Sequence, residues 1–156
     1  YIVGERGMVW KLDPQGQRFD ALPTGYAGSF FGVIGDETNT VAFGLRGNAY
    51  QTQDAGNSWQ VLPLPTQSAI NKGVMLPGGR LGLVTQTGQV LTGALNGAGF
   101  TATMINPPDL LTGVVKTGSD TLVLTGLGGI HRATLPLAQW QSPQASEKSE
   151  VVHGQQ

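Results

Sequence analysis

The sequence has no cysteine, few charged residues and no long apolar run. Without cysteine the chain has no disulfide, no thiolate metal site and no cysteine nucleophile. No apolar segment approaches the roughly 20 residues of a membrane-spanning helix, and nothing resembles a signal peptide. Lys plus Arg is 9 and Asp plus Glu is 10, so no overall field favours nucleic acid or an anionic membrane. These absences predict a protein that is not itself transmembrane and has no nucleic-acid partner.

Histidine is also scarce, whereas glycine is abundant. A metal site needs several converging ligands. His131 and His153 are isolated, and the repeat brings no second histidine near His131, so we predict no metal and no cofactor. Glycine occupies 24 of the 156 positions, and threonine, valine and leucine are frequent. This composition is typical of a β-protein with short strands and tight turns.

The chain repeats itself with a period of about forty residues. Three sets of markers keep one register, with steps of 40 or 41 residues in each set. The sets are Gly7, Gly47, Gly88 and Gly128; Phe19, Trp59, Phe100 and Trp140; and the Gly-Val pairs that begin at Gly32, Gly73 and Gly113. Agreement between independent markers indicates an internal structural repeat.

Each repeat is predicted to form four short strands. In the central unit these are residues 31–34, 40–45, 49–52 and 58–62, separated by turn sequences rich in Gly, Asn and Asp. Four-stranded units at this period predict β-propeller blades of antiparallel strands. Residues 1–141 then form about three and a half to four blades of a larger ring.

The two ends of the chain carry further expectations. The chain opens on Tyr1 within strand-like sequence, so we expect further sequence upstream. An open arc would expose apolar faces at both ends, so we expect further blades or a second chain to close the ring. Residues 142–156 are polar and predicted to be a disordered tail, although residues 150–154 could add a strand to another blade.

The sequence TQDAGNSW, residues 52–59, contains the most distinctive acid of the chain. Asp54 and Gly56 fall in the turn between the third and fourth strands, where the carboxylate can accept backbone N–H bonds and glycine permits a positive φ. Trp59 can then pack its ring between blades. The pattern T-x-D-x-G-x-S-W resembles the Asp box of BNR repeats, and we interpret Asp54 as a turn residue.

The turns before this box carry a second resemblance. Residues 4–13, GERGMVWKLD, and 44–54, GLRGNAYQTQD, both read G-x-R-G, a short apolar strand and then the box region. This arrangement resembles the photosystem II stability/assembly factor-like family of BNR propellers. The resemblance implies a seven-bladed ring, an extracytoplasmic location such as the periplasm, and a non-catalytic protein that binds and helps to assemble or stabilise a membrane protein complex.

The same resemblance implies a partner-binding role for the turn arginines, Arg6 and Arg46. The third and fourth units have Thr87 and Leu127 at the equivalent position, so the arginine patch is incomplete in this chain. We place the partner surface near Arg6, Arg46, Tyr26 and Phe30, because the second-to-third-strand turns share a propeller face with the loops between blades. The alternative is that both arginines are solvated turn residues or pair with neighbours such as Glu5.

Two other interpretations stay open. A sialidase-like glycoside hydrolase would need an arginine cluster and catalytic carboxylates, and most of those residues would lie outside this chain. The carboxylates available for such chemistry are Asp20, Asp36, Glu37, Asp109 and Asp120. A plain structural module without a binding patch is the remaining alternative. The aromatic residues Tyr26, Phe30, Phe31 and Tyr50 are interpreted as blade packing rather than as a platform for stacking bases.

Overall fold

The computed structural model describes residues 1–134. The predicted last strand, Trp140 and the predicted tail at 142–156 lie outside these residues. Apart from two tight 3₁₀ turns, Glu5–Gly7 and Leu45–Gly47, the described part consists of strands and loops. The strands are β1 (Ile2–Val3), β2 (Val9–Leu12), β3 (Phe19–Leu22), β4 (Phe30–Gly35), β5 (Thr40–Gly44), β6 (Ala49–Thr52), β7 (Gln60–Val61), β8 (Ile70–Leu76), β9 (Arg80–Thr85), β10 (Gln89–Ala94), β11 (Thr101–Met104), β12 (Leu111–Lys116), β13 (Thr121–Gly126) and β14 (Gly129–Thr134).

The strands form four separate antiparallel sheets in chain order. Two sheets have four strands, β4 to β7 and β8 to β11, and two have three, β1 to β3 and β12 to β14. We call them blades 1 to 4 along the chain. Blade 1 begins at the strand that corresponds to the second strand of blade 2, as the repeat predicts. The prediction of an all-β partial propeller is therefore confirmed.

The core lies between neighbouring blades. Strand alternation sends one set of side chains to each face of a sheet, so each blade contacts the blade before it and the blade after it. Between blades 2 and 3, for example, the fully buried Phe43 and Val41 meet Leu83 and Ile70. Similar clusters join blades 1 and 2 and blades 3 and 4. Blade contacts of this kind bring the first strands β4, β8 and β12 next to one another.

The outer faces of the two end blades are apolar. On blade 1, Leu12 and Phe19 are 42% and 44% exposed, and on blade 4, Val115 and Ile130 are 56% and 78% exposed. These exposures match the expectation that an open arc leaves apolar faces uncovered. The closure of a ring by further blades or a second chain stays a prediction.

Local boundaries differ slightly from those predicted. The fourth strand of blade 2 starts after Trp59, at Gln60. In blade 4 the turn between the second and third strands has only two residues, Leu127 and Gly128, because Gly126 pairs directly with Gly129. The positive φ consequently falls on Gly129, at 117°, rather than on Gly128. Within residues 1–134, no helix has the length and apolar character required to cross a lipid bilayer.

Candidate functional site

Arg6 and Arg46 occupy the middle of the two tight 3₁₀ turns. Both adopt the left-handed conformation, with φ and ψ of 57° and 33° for Arg6 and 59° and 30° for Arg46. A non-glycine residue in this conformation costs about 1 kcal/mol or more. Both side chains are exposed, and within residues 1–134 neither forms an ion pair. Arg6 does not pair with Glu5. The left-handed backbone follows from the turn itself, because Met8 N donates to the Glu5 carbonyl at 3.1 Å and Asn48 N to the Leu45 carbonyl at 3.2 Å. Within residues 1–134, no ion pair explains why arginine occupies this position of both turns.

The glycine after each arginine lets the turn approach the loop behind it. Gly7 and Gly47 also have positive φ, 64° and 73°. A Cβ on Gly47 would lie 2.5 Å from the carbonyl oxygen of Thr66, and a Cβ on Gly7 would overlap the carbonyl of Tyr26. Each turn is therefore pressed against the loop that follows its blade, which confirms that these turns and loops share one propeller face.

The loop formed by residues 23–29 joins the two arginine turns. Gly7 N donates to the carbonyl of Gly28 at 2.6 Å, and Leu45 N donates to the carbonyl of Ser29 at 3.0 Å. The Tyr26 hydroxyl donates to the Leu45 carbonyl at 3.4 Å. Tyr26 therefore lies between the turn of Arg6 and the turn of Arg46. The structure brings these three predicted residues to one face.

Phe30 is placed differently from its predicted role on the partner surface. Its side chain is 4% exposed, and its ring packs 4.9 Å from Tyr26 and 5.8 Å from Tyr50, measured between ring centroids. Phe30 is therefore buried beneath the face, where it packs against the half-buried rings of Tyr26 and Tyr50. Phe31, which the sequence predicts to be a packing residue, is 49% exposed.

A shallow cleft opens beside the first arginine turn. Its volume is about 390 Å³, and its lining includes Arg6, Met8, Pro23 and Tyr26. Apolar side chains next to an unpaired guanidinium suit a protein segment that carries both apolar and acidic groups.

The equivalent turns of blades 3 and 4 lack the arginine. In blade 3 the equivalent residue is Thr87, which is exposed. In blade 4 it is Leu127, which lies in a two-residue turn and does not have the positive φ of Arg6 and Arg46. The arginine patch is accordingly confined to the turns of blades 1 and 2 within the described residues.

Asp109 and His131 form a contact that the sequence analysis missed. His131 Nε2 lies 2.8 Å from Asp109 Oδ2, which also accepts a hydrogen bond from Gly128 N at 2.8 Å. The hydrogen bond with His131 holds the pKa of Asp109 below its usual value. The loop before blade 4 is thereby tied to the turn and third strand of that blade. His131 also borders a cleft of about 460 Å³ between β11 and β14.

Asp54 is engaged within its own turn. Its Oδ1 accepts hydrogen bonds from Thr52 Oγ1 at 2.8 Å and Ser58 N at 2.9 Å, and its Oδ2 accepts from Ser58 Oγ at 2.7 Å. The Ser58 hydroxyl is the main cause that lowers the pKa of Asp54 to about 2. Gly56, with φ 92°, fits against Leu22 of blade 1. This geometry agrees with the interpretation of Asp54 as a turn residue.

Trp59 attaches this turn to the preceding blade. Its ring meets Tyr1 edge to face, with centroids 6.2 Å apart and planes at 84°. Lys11 Nζ adds a hydrogen bond of 2.6 Å to the carbonyl of Ala55. The turn is thus both an internal hydrogen-bond network and a contact between blades 1 and 2.

Protonation of Asp54 is expected to weaken the fold in acid. Because its folded pKa of about 2 lies below the ordinary 3.8, its contribution to stability is complete above about pH 4 and is lost as the pH falls through 2. We expect an Asp54→Asn variant to show a shallower decrease in the unfolding midpoint between pH 4 and 2 than the wild type. Chemical unfolding at several pH values measures this, and equal slopes would contradict the assigned role.

Other carboxylates are also used locally. Asp20 pairs with Arg18 at 2.8 Å, and Asp36 accepts hydrogen bonds from the backbone of Thr38 and Asn39 at 2.9 and 2.7 Å. The Asn39 and Thr38 amides lower the pKa of Asp36. Within residues 1–134, no group of three or more acidic or histidine side chains converges as metal ligands.

The fold and this face define a propeller arc with two arginine turns. No family model and no curated protein matches the chain, whereas 13 solved chains match it. One of them, described as YCF48 bound to D1 peptide, has a TM-score of 0.62 and 20% sequence identity. The match covers 84% of this chain and 44% of that chain. The resemblance to photosystem II stability/assembly factor-like propellers is thereby confirmed at the level of the fold.

Proposed function

We propose that this chain is a non-catalytic protein-binding propeller that helps to assemble or stabilise a membrane protein complex outside the cytoplasm. The observation that carries the proposal is the pair of exposed arginines, Arg6 and Arg46, held in a strained backbone conformation at equivalent turns. Asn, Asp and Gly suit the left-handed position of such a turn better than arginine does, so arginine at both equivalent turns indicates a use for its side chain. No pairing within residues 1–134 accounts for either guanidinium.

The chemistry of the face supports a protein partner. A guanidinium can bind a carboxylate through two hydrogen bonds or stack on an aromatic ring, and Tyr26 adds a half-buried aromatic surface between the two turns. The described likeness of the fold to a propeller that binds a peptide is consistent with this use. The extracytoplasmic location and the membrane complex are expectations drawn from the family resemblance.

Affinity capture tests this function. The protein is immobilised and incubated with a detergent extract of membranes from its source cells, alongside an Arg6→Gln/Arg46→Gln variant. We expect subunits of one membrane complex to be enriched by the wild type and lost with the variant. Identical captured proteins in both samples, or turnover of a fluorogenic glycoside that is lost on replacement of an acid, would contradict the proposal.

A further inference from the structure

The first strands of blades 2, 3 and 4 share an irregularity. Each pairs with its neighbour through a shift of register near its beginning. The extra residues are separated by 40 and 41 positions and lie where the strands leave the face of the arginine turns. They are Phe31, Asn71 and Thr112. Bulges of this kind redirect side chains and are frequent beside functional sites.

The bulge residue of blade 2 differs in chemistry from the other two. Asn71 Nδ2 donates to the Leu111 carbonyl at 2.7 Å, and Thr112 Oγ1 donates to the Thr125 carbonyl at 3.2 Å. Phe31 has no polar group for such a contact, and its side chain is 49% exposed. A large apolar ring is therefore half exposed at a position where the neighbouring blades use hydrogen-bonded polar residues.

Phe31 is half exposed although both blades adjacent to blade 2 are described by the structure. Asn71 reaches forward from blade 3 to the first strand of blade 4. Phe31 belongs to blade 2, which has blade 1 before it and blade 3 after it, and its strand β4 lies next to β8 of blade 3. The ring remains half exposed with that neighbour in place.

Phe31 lies beside the second arginine turn. Gly44 is so close that a Cβ there would approach Phe31 N to 2.8 Å, and the next residue, Leu45, donates its N–H to the Ser29 carbonyl at 3.0 Å. Leu45 is 37% exposed. We define the Arg46 corner as Phe31, Leu45 and Arg46, which combines two apolar side chains with one exposed cation.

The charges near this corner favour an acidic partner. Within the described residues, Glu5 and Asp109 are the carboxylates of this face, and Asp109 is bound to His131 and to the backbone of Gly128. Arg46 forms no ion pair within residues 1–134. A carboxylate from a partner can bind Arg46 without displacing any intramolecular ion pair described in residues 1–134.

We propose that the Arg46 corner binds an extended protein segment that places an apolar side chain on Phe31 and Leu45 and a neighbouring carboxylate on Arg46. Phe31 is the apolar anchor and determines preference for the apolar residue, whereas Arg46 determines preference for the acid. Central aromatic anchors with adjacent arginines commonly dominate the affinity of such interfaces. This inference rests on the proposed function and specifies the partner segment.

Peptide selection tests the two preferences separately. A displayed library of random 12-residue peptides is selected on the full chain, on Phe31→Ser and on Arg46→Gln. We expect peptides with an apolar residue beside Asp or Glu to be enriched on the wild type. Phe31→Ser should lose the apolar preference and keep the acidic one, and Arg46→Gln should do the reverse. A selected peptide should bind Phe31→Ser about tenfold more weakly in a titration.

The controls separate this inference from the proposed function. Val61→Ser removes a comparably exposed apolar side chain from a blade rim, 64% exposed, and should leave selection unchanged. Phe31→Leu should restore the apolar preference. Unchanged selection on Phe31→Ser, or no apolar preference on the wild type, would overturn the role of Phe31. If the wild type still selects acidic residues, the proposed binding by the arginine turns is retained and only the role of Phe31 is lost. If the wild type selects no acidic residues, the result counts against both the Arg46 corner and the proposed function.

Discussion

Replacing Gly47 with alanine is expected to lower the free energy of unfolding by about 3 kcal/mol, one of the largest effects of a single substitution in this chain. Two costs add at this residue. The left-handed backbone, with φ 73°, penalises any Cβ, and that Cβ would also lie 2.5 Å from the Thr66 carbonyl oxygen. The obstructing atom belongs to the backbone, so relief requires movement of the loop between blades 2 and 3.

Gly79 provides a matched control for the two costs. Its φ is 66°, close to that of Gly47, but a Cβ there would meet nothing within 4 Å. Gly79→Ala should therefore lose only about 1 kcal/mol. Denaturant unfolding followed by tryptophan fluorescence measures both variants. Equal losses of unfolding free energy would show that the close approach of the Thr66 carbonyl adds nothing to the cost of alanine at position 47.

Replacing Arg6 and Arg46 together with glutamine is expected to weaken partner binding by about 100-fold or more. A hydrogen bond to a charged group contributes about 1.5 to 3 kcal/mol, and each tenfold change in affinity corresponds to about 1.4 kcal/mol. The loss of two such contacts therefore gives at least two orders of magnitude. Both side chains are exposed and make no ion pair within residues 1–134, so thermal stability should be largely unchanged.

A second double variant controls for the change in net charge. Arg18 and Arg80 lie at the strand connections on the opposite propeller face, so Arg18→Gln/Arg80→Gln removes the same charge without touching the arginine turns. It should bind the captured partner within about threefold of the wild type, a difference that reflects only long-range electrostatics. Equal weakening by both double variants would indicate attraction by net charge rather than a site at the turns.

Much of the fold could be predicted from the sequence because the repeat is marked by residues with strict backbone or packing requirements. Gly47 and Gly88 tolerate close contact and a positive φ, and Trp59 packs against the preceding blade. Such residues recur with the period of the fold, so their spacing predicts the blades. The same spacing predicts that the turns of Arg6 and Arg46 share one face.

The side-chain details of the face depended on features that spacing does not reveal. A one-residue bulge changes which side chains of a strand are buried, so the spacing does not show that Phe30 is buried and Phe31 is half exposed. The contact between Asp109 and His131 joins residues 22 positions apart. It arises from the meeting of a loop and a shortened turn in blade 4, and neither residue lies in a repeated motif.

The most direct measurement of the central claim uses Arg46→Gly, which relieves the left-handed strain and removes the guanidinium. We claim that Arg46 is kept for binding and not for folding. The free energy of unfolding of Arg46→Gly should equal that of the wild type or exceed it by up to about 1 kcal/mol. The affinity of this variant for the captured partner should fall about tenfold or more. A loss of stability above about 1 kcal/mol with unchanged affinity would contradict the claim and make Arg46 a structural residue of its turn.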